Sequence, residues 1–192
     1  GGGLESWIGR VQYDYKEKYL LSATFRADGS SNFAEDNRWG YFPSVSVGWR
    51  ISEENFMKGI SSTVSNLKLR LAYGTSGNNN IPSGQIAQIF ISGSSSWING
   101  FSTFWAPSKT MANPDLKWET TTTTDIGMDI GILNNRLNMV VDYYYKKTTD
   151  LLWDISTPQT AGFSSIFKNV GSLENKGIEI SLGADIFTGE FQ

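Results

Sequence analysis

The fold is decided by the stretch Trp39-Gly-Tyr-Phe-Pro-Ser-Val-Ser-Val-Gly-Trp-Arg-Ile51. Successive side chains of a strand point to opposite faces, so alternation of residue types divides this segment into two surfaces. One face is apolar and the other mostly polar, with Tyr41, Pro43, Val45, Val47, Trp49 and Ile51 on the first and Phe42, Ser44, Ser46, Gly48 and Arg50 on the second. About ten such residues, tilted by about 45°, cross the apolar layer of a bilayer, and aromatic residues near both ends are typical of outer-membrane strands.

The composition excludes several classes of protein. Among 192 residues there is no cysteine and no histidine, which removes disulfides, thiolate and imidazole catalysis and Cys/His zinc sites. The net charge of −3 without a basic stripe argues against a nucleic-acid partner. Abundant Gly, Ser, Thr and aromatic residues favour an all-β architecture, and no apolar run is long enough for a transmembrane helix.

The same alternation recurs along the chain and predicts seven long strands in an antiparallel up-and-down meander. They cover Trp7–Tyr15, Tyr19–Asp28, Tyr41–Ile51, Leu67–Thr75, Trp118–Ile132, Leu137–Lys146 and Ile178–Phe187. Asn134-Asn135 predicts a two-residue hairpin turn with positive φ, and Ser52 predicts the cap of a short helical turn over 52–58. The segment Gln85–Ile91 is a candidate for a further short strand.

The connections indicate a membrane barrel with two unlike rims. Those after the second, fourth and sixth strands are predicted long and polar, those after the first and fifth short, and the helical one after the third intermediate, as in an outer-membrane barrel. Aromatic residues are expected on the apolar face at both rims: Tyr41, Tyr73, Trp118 and Tyr145 at the long-loop rim, and Tyr15, Tyr19 and Trp49 at the short-turn rim. A soluble β-sandwich explains the alternation equally well, but not these rims.

Several segments, in order, resemble the C-terminal barrel region of SusC/RagA-type TonB-linked outer-membrane transporters. They include Glu5-Ser-Trp-Ile-Gly-Arg-Val-Gln-Tyr-Asp-Tyr15, Arg38-Trp-Gly-Tyr-Phe-Pro-Ser-Val-Ser-Val-Gly-Trp-Arg-Ile51, Leu67-Lys-Leu-Arg-Leu-Ala-Tyr-Gly-Thr-Ser-Gly-Asn78, Asn113-Pro-Asp-Leu-Lys-Trp-Glu-Thr-Thr121 and Asn169-Val-Gly-Ser-Leu-Glu-Asn-Lys-Gly-Ile-Glu179. The resemblance covers most of the chain and is weakest over 76–111.

The resemblance implies a barrel of about 22 strands, of which residues 1–192 would be an internal or C-terminal fragment without plug domain, TonB box or signal peptide. It implies import of oligosaccharides or peptides through the outer membrane of a Gram-negative, Bacteroidetes-like cell. Implied partners are a SusD-like surface lipoprotein, the TonB complex acting through other parts of the protein, and outer-membrane lipid. The alternatives are a structural or adhesive outer-membrane β-domain and a soluble carbohydrate-binding β-sandwich.

No residue pattern predicts catalysis, a cofactor or a metal site. Asp28-Gly-Ser-Ser-Asn-Phe33 resembles part of a calcium loop but lacks its ligand series, so a hydrogen-bonded turn is expected. The carboxylates Glu119, Asp125, Asp129 and Glu179 fall on the polar face, where a large barrel is expected to carry charge. Candidate contacts to substrate or lid protein are the aromatic residues of the two longest loops, Trp97, Phe101, Phe104, Trp105 and Trp153.

Overall fold

The computed structural model describes residues 2–98 and 101–185. All seven predicted strands form and pair in chain order as one antiparallel sheet, here called the wall. The wall consists of β1 (Leu4–Tyr15), β2 (Tyr19–Ser30), β3 (Trp39–Arg50), β4 (Val64–Asn78), β8 (Glu119–Ile132), β9 (Leu137–Thr149) and β12 (Ser172–Ala184). The last strand was predicted to continue to Phe187, but it ends at Ala184, before Asp185, and positions 186 and 187 lie outside the described residues.

The register of the wall keeps like faces together. On the apolar face Trp49 lies opposite Leu69, Leu69 opposite Met128, and Met128 opposite Val141. The apolar side chains along this face are largely exposed, among them Tyr41, Val45, Val47, Leu71, Tyr73, Ile126, Met128, Tyr143, Ile178, Ile180 and Leu182. Within the described ranges no second sheet packs on this face, which is the opposite of what a β-sandwich requires.

The short connections contain residues in the left-handed region of backbone space. Between β1 and β2, Lys16 and Glu17 have φ of 54° and 55°. Between β8 and β9, Asn134 and Asn135 have positive φ as predicted, at 57° and 60°. Leu133, at 53°, joins them, and the last wall pair before the turn is Ile132 with Leu137. The prediction of a two-residue turn was therefore wrong: the connection occupies 133–136.

The connection after β3 forms two 3-10 helices, Ile51–Glu53 and Asn55–Ile60. The helical turn was predicted, but its cap was not: Ser52 lies inside the first helix, and neither helix has a side-chain hydrogen bond at its N-cap. Two further 3-10 helices, of three residues each, cover Glu35–Asn37 and Gln159–Ala161. In the described part of the chain, no helix has the length and apolar character needed to cross a bilayer.

The two longest connections contain strands of their own. The first long loop, 79–118, carries the antiparallel pair β5 (Phe90–Ile98) and β6 (Phe101–Pro107) and then β7 (Thr110–Met111). The strand expected over Gln85–Ile91 thus begins only at Phe90. The second long loop, 150–171, carries β10 (Leu152–Ser156) and β11 (Ser165–Asn169). The connection after β2, 31–38, is shorter than the helical one after β3, 51–63, contrary to expectation.

Candidate functional site

The polar face of the wall carries a charged network at mid-height. The Arg70 guanidinium donates to Asp129 Oδ1 from Nε at 3.1 Å and Nη2 at 2.9 Å, and Nη2 also lies 2.9 Å from Asp142 Oδ1. Gly127 lies between Arg70 and Asp142 in the register. A Cβ on Gly127 would lie 2.2 Å from Asp142 Oδ1, so the absence of a side chain lets the ion pairs form across the strand.

A groove of about 560 Å³ runs along the same face beside Arg70. Its floor includes the small side chains Ser22, Ser46 and Ala72, which lie opposite one another on β2, β3 and β4. Asp129 and Asp142 are both ion-paired with the Arg70 guanidinium. This face of the sheet is polar around the groove, as expected from the alternation of the sequence.

A buried apolar cluster lies at the long-loop rim. Phe33, Phe42, Ile81, Leu116 and Trp118 form it, and Phe33 and Leu116 are completely buried. Its members come from two connections, 31–38 and 79–118, and from β3. The aromatic ring of Trp118 lies 5.4 Å from that of Phe33 and 5.5 Å from that of Phe42. This rim cluster joins the loops to the top of the wall.

The position of Trp118 corrects the sequence prediction. Trp118 was expected on the apolar face with Tyr73, but it is 7% exposed and its Nε1 donates to the Arg38 carbonyl at 3.0 Å. The wall strand begins one residue later, at Glu119, so alternation no longer fixes where Trp118 points. Of the other rim aromatics on the apolar face, Tyr41 and Tyr73 are exposed and Tyr145 is half-buried.

Side chains of the Asp28–Phe33 segment bind other parts of the protein. Both oxygens of Asp28 accept from Arg26 Nε, at 2.8 and 2.7 Å. Ser30, which is 1% exposed, accepts at Oγ from Asn79 Nδ2 at 2.8 Å. Asn32 Nδ2 in turn donates to the Asn79 carbonyl at 3.3 Å. The turn predicted over Asp28–Phe33 is therefore only partly confirmed: Asp28, Gly29 and Ser30 still belong to β2, and a turn follows in which the Phe33 N–H donates to the Ser30 carbonyl at 3.3 Å. The segment attaches the β2–β3 connection to the start of the first long loop.

The two long loops are joined into one small sheet. β11 pairs with β10 on one side and, in parallel, with the two residues of β7 on the other. This three-stranded sheet of β7, β10 and β11 is here called the loop platform. Its inward side packs on the rim cluster through Leu152 and Phe167. The loops therefore have a rigid connection to the wall.

Two asparagine amides reinforce the join between the loops. Asn113 Nδ2, in the first long loop, donates to the Phe167 carbonyl in the second at 2.8 Å. Asn169 accepts from the Lys117 N–H at 3.0 Å and donates to the Lys117 and Asp150 carbonyls at 2.8 and 2.9 Å. Sequence reasoning assigned no role to these residues. The only sequence signal was that both lie in segments that resemble the transporter family.

The predicted contact residues are only partly placed. Trp153, on β10, is 62% exposed, and Trp105, on β6, is 61% exposed. Both therefore present ring surface outside the rim cluster. The backbones of Trp97, Phe101 and Phe104 belong to β5 and β6, but their side chains lie outside the described part of the structure. The structure thus brings Trp153 to the loop platform and leaves Trp105 on a separate hairpin.

The opposite, short-turn rim carries a stack of aromatic rings beside the carboxylate of Glu54. Tyr15, Tyr19 and Trp49, as predicted for this rim, follow one another across β1, β2 and β3, each adjacent pair of rings 6.4 Å apart. Glu54 accepts from the Tyr19 hydroxyl at 2.6 Å, Trp49 Nε1 at 3.2 Å and Lys18 Nζ at 3.2 Å. These hydrogen bonds, that from Tyr19 above all, lower the pKa of Glu54 from its ordinary value of 4.5.

An antiparallel sheet with an exposed apolar face, a charged opposite face and aromatic residues at both rims defines a segment of a transmembrane β-barrel wall. The sequence matches the family described as TonB dependent receptor-like, beta-barrel, over residues 4–192. The chain belongs to this family, which is one of outer-membrane receptors.

The comparisons with individual proteins agree. The chain is 43% identical to TonB-dependent receptor P26 of Formosa agariphila over 95% of its length, and 41% identical to TonB-dependent receptor SusC of Bacteroides thetaiotaomicron over 98%. It spans 18% and 19% of those two proteins. It superposes on 20% of a chain in the structure of the RagAB peptide transporter with a TM-score of 0.86 and 31% identity, over 98% of its own length.

A more distant structure shows that the fold extends beyond these relatives. The siderophore receptor PirA of Pseudomonas aeruginosa matches 94% of the chain, which covers 31% of that receptor, with a TM-score of 0.62 and 14% identity. At this identity the similarity concerns the fold alone.

Proposed function

We propose that residues 1–192 are part of the barrel domain of an outer-membrane importer that takes up oligosaccharides or peptides in a Gram-negative, Bacteroidetes-like cell. The observation that carries this proposal is the combination of a two-faced wall with a loop platform fixed to one rim. The apolar face meets lipid, the face that carries Arg70 borders the lumen, and the loops stand on the outer side. Energy would come from the TonB complex through other parts of the receptor.

The loop platform and the separate β5–β6 hairpin are the proposed places of recognition. Exposed aromatic side chains bind sugar rings and apolar peptide side chains, and they are enriched where proteins meet. Trp105 and Trp153 are both more than half exposed, whereas Leu152, next to Trp153, packs on the rim cluster. We assign them, with Trp97 and Phe101, to contact with substrate or with a SusD-like surface lipoprotein that covers the barrel. No catalytic step is assigned to the protein.

The test is alanine substitution at Trp105 and Trp153 in the full-length receptor. Loss of a ring that contacts a ligand or partner typically costs on the order of 1 kcal/mol or more, so growth on the cognate nutrient or co-purification of the lipoprotein should weaken. Heat-modifiable gel mobility of the barrel should stay unchanged because both residues lie in loops. Tyr41→Ala is the matched control, since Tyr41 is equally exposed but lies on the lipid side of β3.

Unchanged growth and unchanged lipoprotein binding in the double variant would remove these aromatic residues from the site. Loss of barrel mobility would show that they are structural. If the protein were an adhesive or passive β-domain, deletion of the whole receptor would leave growth on every nutrient unchanged. Growth of a deletion strain measures this directly.

A further inference from the structure

One edge of the loop platform has backbone groups that meet no partner strand in the described part of the chain. Strand β10 pairs with β11 on one side, and its other side faces no strand among the described residues. In an antiparallel pair, alternate residues direct their N–H and C=O groups toward the partner strand, and those between direct them away. The register of β10 therefore decides which groups are unpaired.

Two hydrogen bonds that flank β10 fix this register. The Thr157 N–H donates to the Ser164 carbonyl at 2.9 Å, and the Val170 N–H donates to the Leu151 carbonyl at 2.8 Å. Odd-numbered residues of β10 therefore bind β11, whereas Leu152, Asp154 and Ser156 point to the free edge. The Leu152 N–H is already occupied, because it donates to Glu119 Oε2 at 3.1 Å. The open part of the edge is the main chain of Asp154 and Ser156, both of which are exposed.

The outward side of the platform next to this edge is apolar. Trp153 and Ile155 of β10 lie on the same face as Ile166 of β11 and Met111 of β7, because Ile155 pairs with Ile166 and Ile166 with Met111. Trp153 and Met111 are 62% and 43% exposed. An added strand would direct every second side chain to this apolar side and the others away from it.

We propose that the free edge of β10 binds an extended peptide by β-strand addition. The Asp154 and Ser156 main chain supplies the hydrogen bonds, and Trp153 and Ile155 contact alternate side chains of the peptide. The inference rests on the proposed function, since it assumes that the platform faces the outer side of the membrane. It deepens that function by assigning peptides to this edge.

The size of the edge favours a short peptide over a folded partner. An edge with two open residues admits a segment of a few residues, whereas a stable protein–protein interface buries about 800 Å² on each partner. Main-chain recognition is also indifferent to peptide sequence, apart from the preference for apolar residues at alternate positions. The matched RagAB structures are named as those of a peptide transporter and a peptide importer, which agrees with this choice.

The experiment uses the full-length receptor in detergent, with a fluorescein-labelled mixture of random decapeptides as the probe and fluorescence anisotropy as the readout. Asp154→Pro removes an N–H that points away from β11, so the platform keeps its own hydrogen bonds while the edge loses a donor. We expect peptide binding about tenfold weaker, the effect of losing one or two net hydrogen bonds. Asp154→Ala keeps the N–H and removes only the carboxylate, so it measures the contribution of the side chain alone. This variant should bind peptide within about twofold of the unmodified receptor.

A second probe keeps the test valid if Asp154→Pro disturbs the platform. Decapeptides N-methylated at every residue have no amide N–H to donate to the edge and should bind the unmodified receptor at least about tenfold more weakly. Equal binding of methylated and unmethylated peptides would overturn the proposal, and so would equal losses in Asp154→Pro and Asp154→Ala. A receptor that supports growth on oligosaccharides but binds no peptide would overturn this inference while leaving the proposed function intact.

Discussion

The wall and the loop platform are stabilised in opposite ways. The wall leaves its apolar side chains exposed, with Leu182 75% and Trp7 66% exposed, and is held together by long backbone ladders. The platform has ladders of only two and five pairs and depends on the completely buried Phe33 and Leu116 beneath it. The wall is therefore suited to a lipid environment. The platform instead has a small buried apolar core of the kind that stabilises proteins in water.

This difference implies that the two regions can be disturbed separately. In a membrane no water competes for the backbone hydrogen bonds of a strand ladder, so the wall should tolerate substitutions in the loops. A small core tolerates few substitutions, because a few side chains provide most of its apolar contacts. Substitutions in one region should thus leave the other folded.

The largest expected effect is on the platform, from Leu116→Ala. Leu116 is completely buried, and removing such a side chain typically costs about 2–5 kcal/mol. In the full-length receptor, the loops 79–118 and 150–171 should open more often, so thermolysin should cut them at least about tenfold faster. Barrel mobility on unheated gels should be unchanged.

Leu133→Ala is the matched control for this substitution. Leu133 is 52% exposed in the turn between β8 and β9, so its removal leaves no cavity. Equal cutting rates in the two variants would contradict the distinction between platform and wall, as would loss of barrel mobility in Leu116→Ala.

The wall is tested by a pair of neighbouring substitutions. Val47 lies opposite Leu21 and Leu71 on the apolar face, and Ser46 lies opposite Ser22 and Ala72 on the polar face. Arginine at mid-membrane depth on the lipid face costs about 2–4 kcal/mol, and on the lumen face far less. Val47→Arg should therefore lower the amount of heat-modifiable barrel in the outer membrane, and Ser46→Arg should not. Similar losses in both variants would show that the faces are assigned wrongly.

The wall could be predicted from the sequence because its signal is local. Alternation over ten residues determines strand, face and partner, and it gave the seven strands in the right order. It failed at Trp118, one residue outside the ladder, where the ring packs inward against Phe33 instead. The same limit explains the two-residue turn wrongly expected at Asn134-Asn135: a positive φ was foreseeable for asparagine but not for Leu133.

The platform could not be predicted because its contacts join distant residues. Asn113 binds the carbonyl of Phe167, 54 residues away, and Asn169 binds Lys117, 52 residues away. An asparagine in a loop indicates a turn or a hydrogen bond, but not its partner. Phe42 illustrates the same point, since it was placed on the correct face of β3 while its burial under the loops remained hidden.

The smallest expected effect concerns the short-turn rim, where the described residues form no buried cluster like the one under the platform. Glu54 has a lowered pKa because Tyr19, Lys18 and Trp49 donate to its charged form. A carboxyl whose pKa is lower in the folded state stabilises fully above its ordinary value of 4.5, and this contribution is lost as the pH falls through the lowered pKa. Between about pH 7 and about pH 3, the gel-shift unfolding temperature of the unmodified receptor should therefore fall further than that of Glu54→Gln, which has no charge to lose.

Glu53→Gln, at the exposed neighbouring position, controls for the general effect of removing one carboxylate. Parallel pH profiles for the unmodified receptor and Glu54→Gln would show that this carboxylate contributes nothing to the rim, and that the ring stack and the ladders alone hold it together.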